Sequence, residues 1–534
     1  MQGTTSSIKN SHILGVILVI AVILFGRTSG NEILYGWDDG EYIENPDIRD
    51  LSRAGKYFNT YYLGMYQPLS VLSIALNFSI SGEKATAYHA LNILLHLVNI
   101  LLLYFLILKI SGKQAIAGMT AFLFAVHPVN AEAVGWISAR STLLFTLFYL
   151  LAFRFYLHYI DRNRSWPHYL WCLFFFTLSL LSKSMAMTFP LVLVLYDWYR
   201  NGRITWKGMA DKAPFLVLSV LAGLLTIDAA RSFGHIGLMQ EAFTPWHQLF
   251  ILTYSVAFYI VKAVFPANLS AIYAFPETGD GGLPPVYYLS ALLLILIAAG
   301  ILIKSKLRRE AIFGGLFFLI SISVVLPSFW SRKFLAGDRY GYLAFIGIFY
   351  VLSWLVYTVY ARRGIFRKKY RGIILAVLLV YAGYLLVTTG LRTAVWSSTR
   401  SLLTDAVRKD PGGPAGAQAH YYLGSLHFDK GRYNEALKAY NKALTIKPRF
   451  PEAYNDRGIL YGLAGKIKRA RQDFNAAIRY DPENAEAYYN RGFTFRELGD
   501  TERACSDWQQ AITLGSEAAR EAYQKHCRKR KRGN

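Results

Sequence analysis

Cysteine is scarce in this 534-residue chain, with only Cys172, Cys505 and Cys527. The three share no metal-ligand spacing, and Cys172 falls inside an apolar stretch, so neither a zinc site nor a disulfide framework is expected. Charge is also thin, at 17% of residues, while hydrophobic residues make up 54% and aromatic residues 15%. That balance is too apolar for an ordinary soluble chain and makes the bilayer the expected solvent. Acid is scarcer than base: 34 Asp and Glu stand against 58 Lys and Arg, a net charge of +24. Such an excess can mark nucleic-acid binding. Here the basic residues lie beside apolar runs, as in cytoplasmic membrane loops, and no nucleic-acid partner is expected. No Ala-x-Ala cleavage site follows the first apolar run, 13–25, which is therefore expected to remain as an uncleaved helix with Lys9 in the cytoplasm.

What is present is a series of apolar segments near the length needed to cross ~30 Å of hydrocarbon. They lie at 12–26, 88–108, 115–127, 140–160, 168–182, 185–199, 213–229, 284–303, 311–327, 341–360 and 373–390, about eleven spans of an all-α, polytopic membrane domain covering 1–390. Lys109 and Lys113, Arg162 and Arg164, Arg200, Arg203 and Lys207, Lys304, Lys306, Arg308 and Arg309, and the basic run within 362–371 alternate with positive-poor connections. This alternation fits a cytoplasmic N-terminus. Two further stretches, 69–80 and 246–265, break the parity and are assigned to interfacial or re-entrant segments. The outer side then receives the loop 31–67, the turn at His127, Lys183, the segments 266–285 and 328–342, and everything after Gly390.

After a linker, 391–416, the composition turns helical and repeats with a period of 34 residues. Gly424, Gly458 and Gly492 align, as do Ala436, Ala470 and Ala504, then Tyr440, Phe474 and Trp508, then Ala443, Ala477 and Ala511, with Pro448 and Pro482 closing two repeats. Small residues where helices touch, an aromatic in each interface and a closing proline make the tetratricopeptide (TPR) pattern. Three repeats over 417–518, about the minimum for an independent α-solenoid, are expected ahead of a basic tail, 519–534. Tyr421, Asn455 and Asn490 are the residues expected on a concave, peptide-binding face.

The candidate chemistry collects on the outer side. Asp38 and Asp39, in LYGWDDGEYIENPDI (34–48), follow the first span. A carboxylate placed at the bilayer surface can act as general base on a hydroxyl. Departure of a phosphate leaving group also requires cations, and Arg140, Lys183 and Arg339 are the candidates. Each also has the bland reading of a basic residue snorkelling at a span end. Glu132 could orient an acceptor or hold a divalent metal, leaving the metal requirement open. His89 and His96, seven apart on one helix, are read as interhelical hydrogen-bond partners rather than ligands. His127 is read as part of a turn.

In order along the chain come DDGEYIENPDI, YHALNILLHLVN, HPVNAEAVGWISARSTLL, LLSKSMAMTFPLVLVLYDW, FPANLSAIYAF, GDRYGYLAFIG and VWSSTRSLLTDAV leading into the repeats. With these motifs the chain resembles the transmembrane and TPR-containing O-mannosyltransferases, polyprenyl-phosphate-dependent glycosyltransferases of the GT-C class. The resemblance implies an inverting transfer, outside the cytoplasm, of one sugar from a polyprenyl-phosphate donor to Ser or Thr of a protein. It also implies an acidic base in the first outer loop, Asp38 in preference to Asp39. The chain departs from its relatives at Ser184, where many carry Glu, and in having only three repeats. The short array and short first apolar run suit a bacterial inner-membrane member, whose sugar need not be mannose. Two rival readings are a membrane-anchored TPR scaffold without chemistry and a GT-C enzyme acting on glycolipid or polysaccharide.

Overall fold

The computed structural model describes residues 2–233, 243–276, 282–303, 308–327, 334–361 and 368–527. Among them no strand forms beyond two isolated bridges, Tyr62 with Met65 and Tyr273 with Ala336. The chain is all-α and divides into two units, 1–402 and 403–534.

In the first unit, seven described helices are long and apolar enough to cross a membrane. A backbone in lipid must satisfy its own hydrogen bonds, which is why apolar runs of this length become helices. The expected spans at 115–127 and 168–182 form Gln114–Val126 and Trp166–Ser182, of 13 and 17 residues. The span expected at 185–199 opens with a 3-10 turn, Ser184–Thr188, before Phe189–Asn201. These helices fall short of the usual crossing length, so the count of eleven is not reproduced by length. The stretch expected to be interfacial at 246–265 is instead an unbroken 20-residue helix, Pro245–Val264, that qualifies by length and apolarity. By contrast, Pro68–Ser81 packs on the 31–67 loop region, its Val71, Ile74 and Ala75 clustering with Tyr42, Ile43, Ile48 and Tyr57. Ser70 Oγ donates to Ser182 O at 2.8 Å, and Glu83, just past the helix, pairs with Arg49 at 2.5 Å.

Polar side chains and small residues hold these helices together, since apolar packing alone gives no preference between helix and lipid. The His96 ring nitrogen Nδ1 meets Tyr342 Oη at 2.7 Å, Asn99 Nδ2 donates to Leu143 O at 3.0 Å, and Thr120 Oγ1 donates to Ser353 Oγ at 3.1 Å. His96 is thus an interhelical partner. Gly314 faces Gly347 where Arg308–Ser323 crosses Gly341–Ala361, and a Cβ on Gly314 would meet Gly347 O at 2.5 Å. The charged pairs Lys109–Asp161 (2.6 Å), Arg200–Asp161 (2.7 Å) and Arg164–Asp211 (3.2 Å) join the ends of helices opposite the acidic loop.

The second unit is a stack of helix pairs: Pro414–Asp429 with Tyr433–Ile446, Pro451–Leu463 with Ile467–Tyr480, and Ala485–Glu497 with Thr501–Thr513. The aligned glycines have a steric cause. A Cβ at Gly458 would come 2.7 Å from the Phe474 ring, and one at Gly492 would come 2.5 Å from Trp508. Two ionic forks recur at the same period. Arg457 grips Asp473 with both contacts at 2.8 Å, and Arg491 grips Asp507 with both at 2.7 Å. The segment expected as a linker comprises the end of Lys368–Val395, the helix Thr399–Lys409 and the start of Pro414–Asp429. Glu517–His526, which overlaps the start of the expected tail, is helical, and 528–534 lie outside the described residues.

The expectation of no disulfide is overturned, because Cys505 and Cys527 are joined, with their Cα atoms 5.9 Å apart. The bond ties Glu517–His526 to the third repeat, where Ala519 and Ala522 pack beside Trp508. Closing a loop with a sequence separation of 22 restricts the unfolded chain by roughly 3 kcal/mol. The Cys527→Ser protein is therefore expected to lose about 2–4 kcal/mol of repeat stability, read as a lower urea midpoint of the repeat transition. An unchanged midpoint would remove the bond's structural role.

Candidate active site

The acidic loop turns at Gly36, whose φ of 77° suits glycine, and then enters the short helix Asp38–Ile43. Acids in a first helical turn face the backbone N–H groups, and successive residues diverge by about 100°, so Asp38 and Asp39 meet different surroundings. Asp39 is fully buried. Its carboxylate accepts from Leu34 N at 3.2 Å, from Ser138 N at 2.8 Å and from Ser138 Oγ. Burial raises its pKa to about 6, against the pull of these three donors. Asp38 is half-buried, and its charge acts on Arg339.

Arg339 is the centre of a cluster of side chains. Its guanidinium pairs with Glu132, its own amide donates to Glu132 Oε2 at 3.2 Å, and it lies 4.8 Å from the Trp136 ring centroid. It also donates to Tyr340 Oη at 3.0 Å. Lys183 reaches the same tyrosine, 5.5 Å above its ring, while donating to Thr142 Oγ1 at 2.7 Å. Trp37 closes one side, stacked on Phe334 at 6.4 Å and edge-on to Trp136 at 6.5 Å. Two cations, the Glu132 carboxylate and an aromatic wall therefore form one cluster of side chains.

The remaining expected residues go elsewhere. Glu132, expected to orient an acceptor or a metal, is 1% exposed and committed to Arg339. Among the described residues no group of three or more His, Cys, Asp and Glu is placed to hold a metal ion. Arg140, expected at the phosphate, is fully buried in helix packing: Nε donates to Asn92 Oδ1 (2.9 Å), Nη1 to Ser73 O (3.2 Å) and Nη2 to Tyr88 O (2.9 Å). An arginine in that position locks three helices together. In the repeats, Tyr421 hydrogen-bonds the Asp456 carboxylate, Asn455 Nδ2 donates to Asp456 Oδ1 at 3.3 Å, and Asn490 Nδ2 donates to Asn455 Oδ1 at 3.0 Å. The three residues thus form one polar ladder across successive repeats. Sequence reasoning missed Ser138, Trp136, Tyr340 and Asp338. The last two flank Arg339 in GDRYGYL, so adjacency to a chosen cation was the available signal.

The chain matches the family described as dolichyl-phosphate-mannose-protein mannosyltransferase over residues 67–228, and TPR repeat families over 424–465, 463–499 and 486–514. The first segment contains Glu132, Arg140 and Lys183; the acidic loop and Arg339 lie outside it. Protein O-mannosyl-transferase TMTC1 of Homo sapiens is 26% identical over 499 residues, covering 82% of this chain and 55% of its own length. Protein O-mannosyl-transferase F38B6.6 of Caenorhabditis elegans is 25% identical over 480 residues, covering 84% of this chain and 64% of its own. The chain therefore spans under two thirds of the length of these relatives. The Sgt2 TPR domain of Aspergillus fumigatus aligns with 22% of this chain and 79% of its own at 23% identity, with a TM-score of 0.21. The bacterial assignment is not borne out, since these O-mannosyl-transferase relatives are animal proteins. With seven described helices long and apolar enough to cross a membrane, a segment matching the mannosyltransferase family and TPR repeats after it, the chain is similar to the TMTC protein O-mannosyl-transferases.

Proposed function

We propose that this chain transfers a single sugar, mannose or a close analogue, from a polyprenyl-phosphate donor to a Ser or Thr hydroxyl of a protein on the non-cytoplasmic side of the membrane. The observation that carries this reading is the side-chain cluster: Tyr340 links Arg339 to Lys183, and the charge of Asp38 acts on Arg339. In the proposed step the acceptor oxygen attacks the sugar C1 from the face opposite the phosphate, and the C1–O bond to phosphate breaks. The hydroxyl proton passes to the Asp38 carboxylate, and the departing phosphate takes its negative charge to Arg339 and Lys183. Attack opposite the leaving group inverts the anomeric centre. The sidedness is supported by the Cys505–Cys527 bond, because disulfides persist in oxidising compartments. A scaffold needs one or two spans as an anchor, and seven long apolar helices exceed that need.

The test supplies purified protein with mannose labelled either on polyprenyl phosphate or on a nucleotide. Label entering protein from the lipid donor alone is expected. Label from the nucleotide alone overturns the donor class, and label in a glycolipid fraction overturns the acceptor class.

The repeats are assigned to acceptor capture, with half-buried Tyr421 and Asn490 facing the acceptor and buried Asn455 bracing the ladder behind them. Deleting the chain from Ala417 onward is then expected to spare transfer to a short free peptide while reducing transfer to protein. The comparison uses truncated protein whose membrane unit keeps the parental melting temperature. Equal loss with both acceptors contradicts this division of labour.

A further inference from the structure

Residues 392–399, which precede the repeats in the chain, are bound to the cluster around Arg339 and to the acidic loop through Arg392, Trp396, Ser397 and Thr399. Arg392 lies 3.6 Å from Asp338, and both side chains are almost fully buried. Asp338 also accepts from Tyr273 Oη at 2.8 Å, so the residue next to Arg339 is fixed from two directions. Trp396 is 1% exposed and stacks on Trp136 at 5.7 Å, beneath the ring that Arg339 covers. The fit leaves no slack: a Cβ at Gly135 would lie 3.3 Å from Trp396 Cβ. The same segment then hydrogen-bonds the acidic loop. Asn31 Nδ2 donates to Trp396 O at 3.1 Å, Glu32 N donates to Ser397 O at 2.9 Å, and Thr399 Oγ1 donates to Tyr35 O at 2.8 Å.

We propose that residues 392–399 are a positioning strap of the transfer site, with Trp396 and Thr399 as positioning residues that set the distance between the acidic loop and Arg339. The inference rests on the reading of this cluster as the transfer site. Asp38 lies three residues after Tyr35 and rides on a loop that this strap holds at three points. Trp396 holds the opposite wall through Trp136. Neither residue needs to touch the substrate, since the strap acts only through loop position. Reaction geometry is unforgiving, and a misplacement of about 1 Å can cost on the order of 100-fold in rate.

Thr399→Val is nearly isosteric and removes only the hydroxyl, whereas Thr399→Ser keeps it. In full-length protein, Thr399→Val is expected to lower kcat about 10- to 100-fold, with the donor KM and the melting temperature unchanged, while Thr399→Ser restores turnover. Amide hydrogen exchange over 31–39 is expected to quicken in Thr399→Val and to stay parental in Thr399→Ser. The exchange arm needs no turnover, so it also decides the strap if the parent protein transfers no sugar. Parental exchange over 31–39 in Thr399→Val overturns the strap. So does parental turnover in that variant, or equal loss in the valine and serine variants. Quickened exchange in a parent that proves inactive retains the strap and removes only the transfer reading.

Discussion

Asp38→Asn is expected to transfer sugar about 10²- to 10⁴-fold more slowly than the parent while still binding the polyprenyl donor. Asparagine keeps the size and most hydrogen bonds of aspartate but cannot take the hydroxyl proton. Donor affinity is assigned to Arg339 and Lys183, so removing a nearby negative charge leaves it intact or improves it. The two acids separate on structural grounds. Asp39 is fully buried with three donors on its carboxylate, which suits a group that fixes the loop. Its raised pKa, about 6 against an ordinary 3.8, means that the folded chain holds this proton more tightly than the unfolded chain. The stability from this group is therefore full below pH 3.8 and is lost as pH rises through about 6. Asp39→Asn thus acts on loop order, read as faster amide exchange over 31–39, whereas Asp38→Asn leaves exchange parental. Parental transfer by Asp38→Asn removes the base assignment.

Arg339→Met is expected to cost about 10²- to 10³-fold in transfer, the scale seen when one donor to a developing oxyanion is removed. Lysine is a poor substitute, because a point charge cannot reproduce the fork that holds Glu132 and Tyr340 together. Glu132 is 1% exposed, so removing its partner alone strands a buried charge, at a cost of about 3–5 kcal/mol. The double variant Glu132→Gln/Arg339→Met separates the two effects. It should regain most of the melting temperature and none of the transfer. If the double variant regains transfer along with stability, Arg339 serves folding only.

The parts of this architecture that repeat or alternate were legible in the sequence. The 34-residue columns placed Gly424, Gly458 and Gly492 against their aromatics, because one steric fit is reused three times. Apolar runs marked the membrane helices for the same kind of reason, since lipid imposes a length and a composition. Where burial depends on distant chain, the sequence was silent. Asp39 meets Ser138 across 99 positions and Glu132 meets Arg339 across 207, and no local pattern encodes either pairing. Arg140 looked like Arg339 on paper, a lone cation at a span end. Three acceptors from two other helices, Asn92 and Tyr88 on one and Ser73 on the other, turned it into a packing residue. Cys505 and Cys527 stand too far apart for a spacing motif and meet only because Glu517–His526 folds back on the third repeat.

The central claim is that the cluster of Asp38, Arg339 and Lys183 transfers a lipid-borne sugar to protein, and a single comparison addresses it. Parent, Asp38→Asn and Arg339→Met proteins, each with a melting curve on record, receive polyprenyl phosphate carrying labelled mannose together with a protein acceptor, and label on Ser and Thr is counted by mass spectrometry of acceptor peptides. The account predicts labelled hydroxyls with the parent, at least a 100-fold loss with each variant, and retained donor binding with Asp38→Asn. Equal labelling by all three proteins, or none by a well-folded parent that binds the donor, contradicts it.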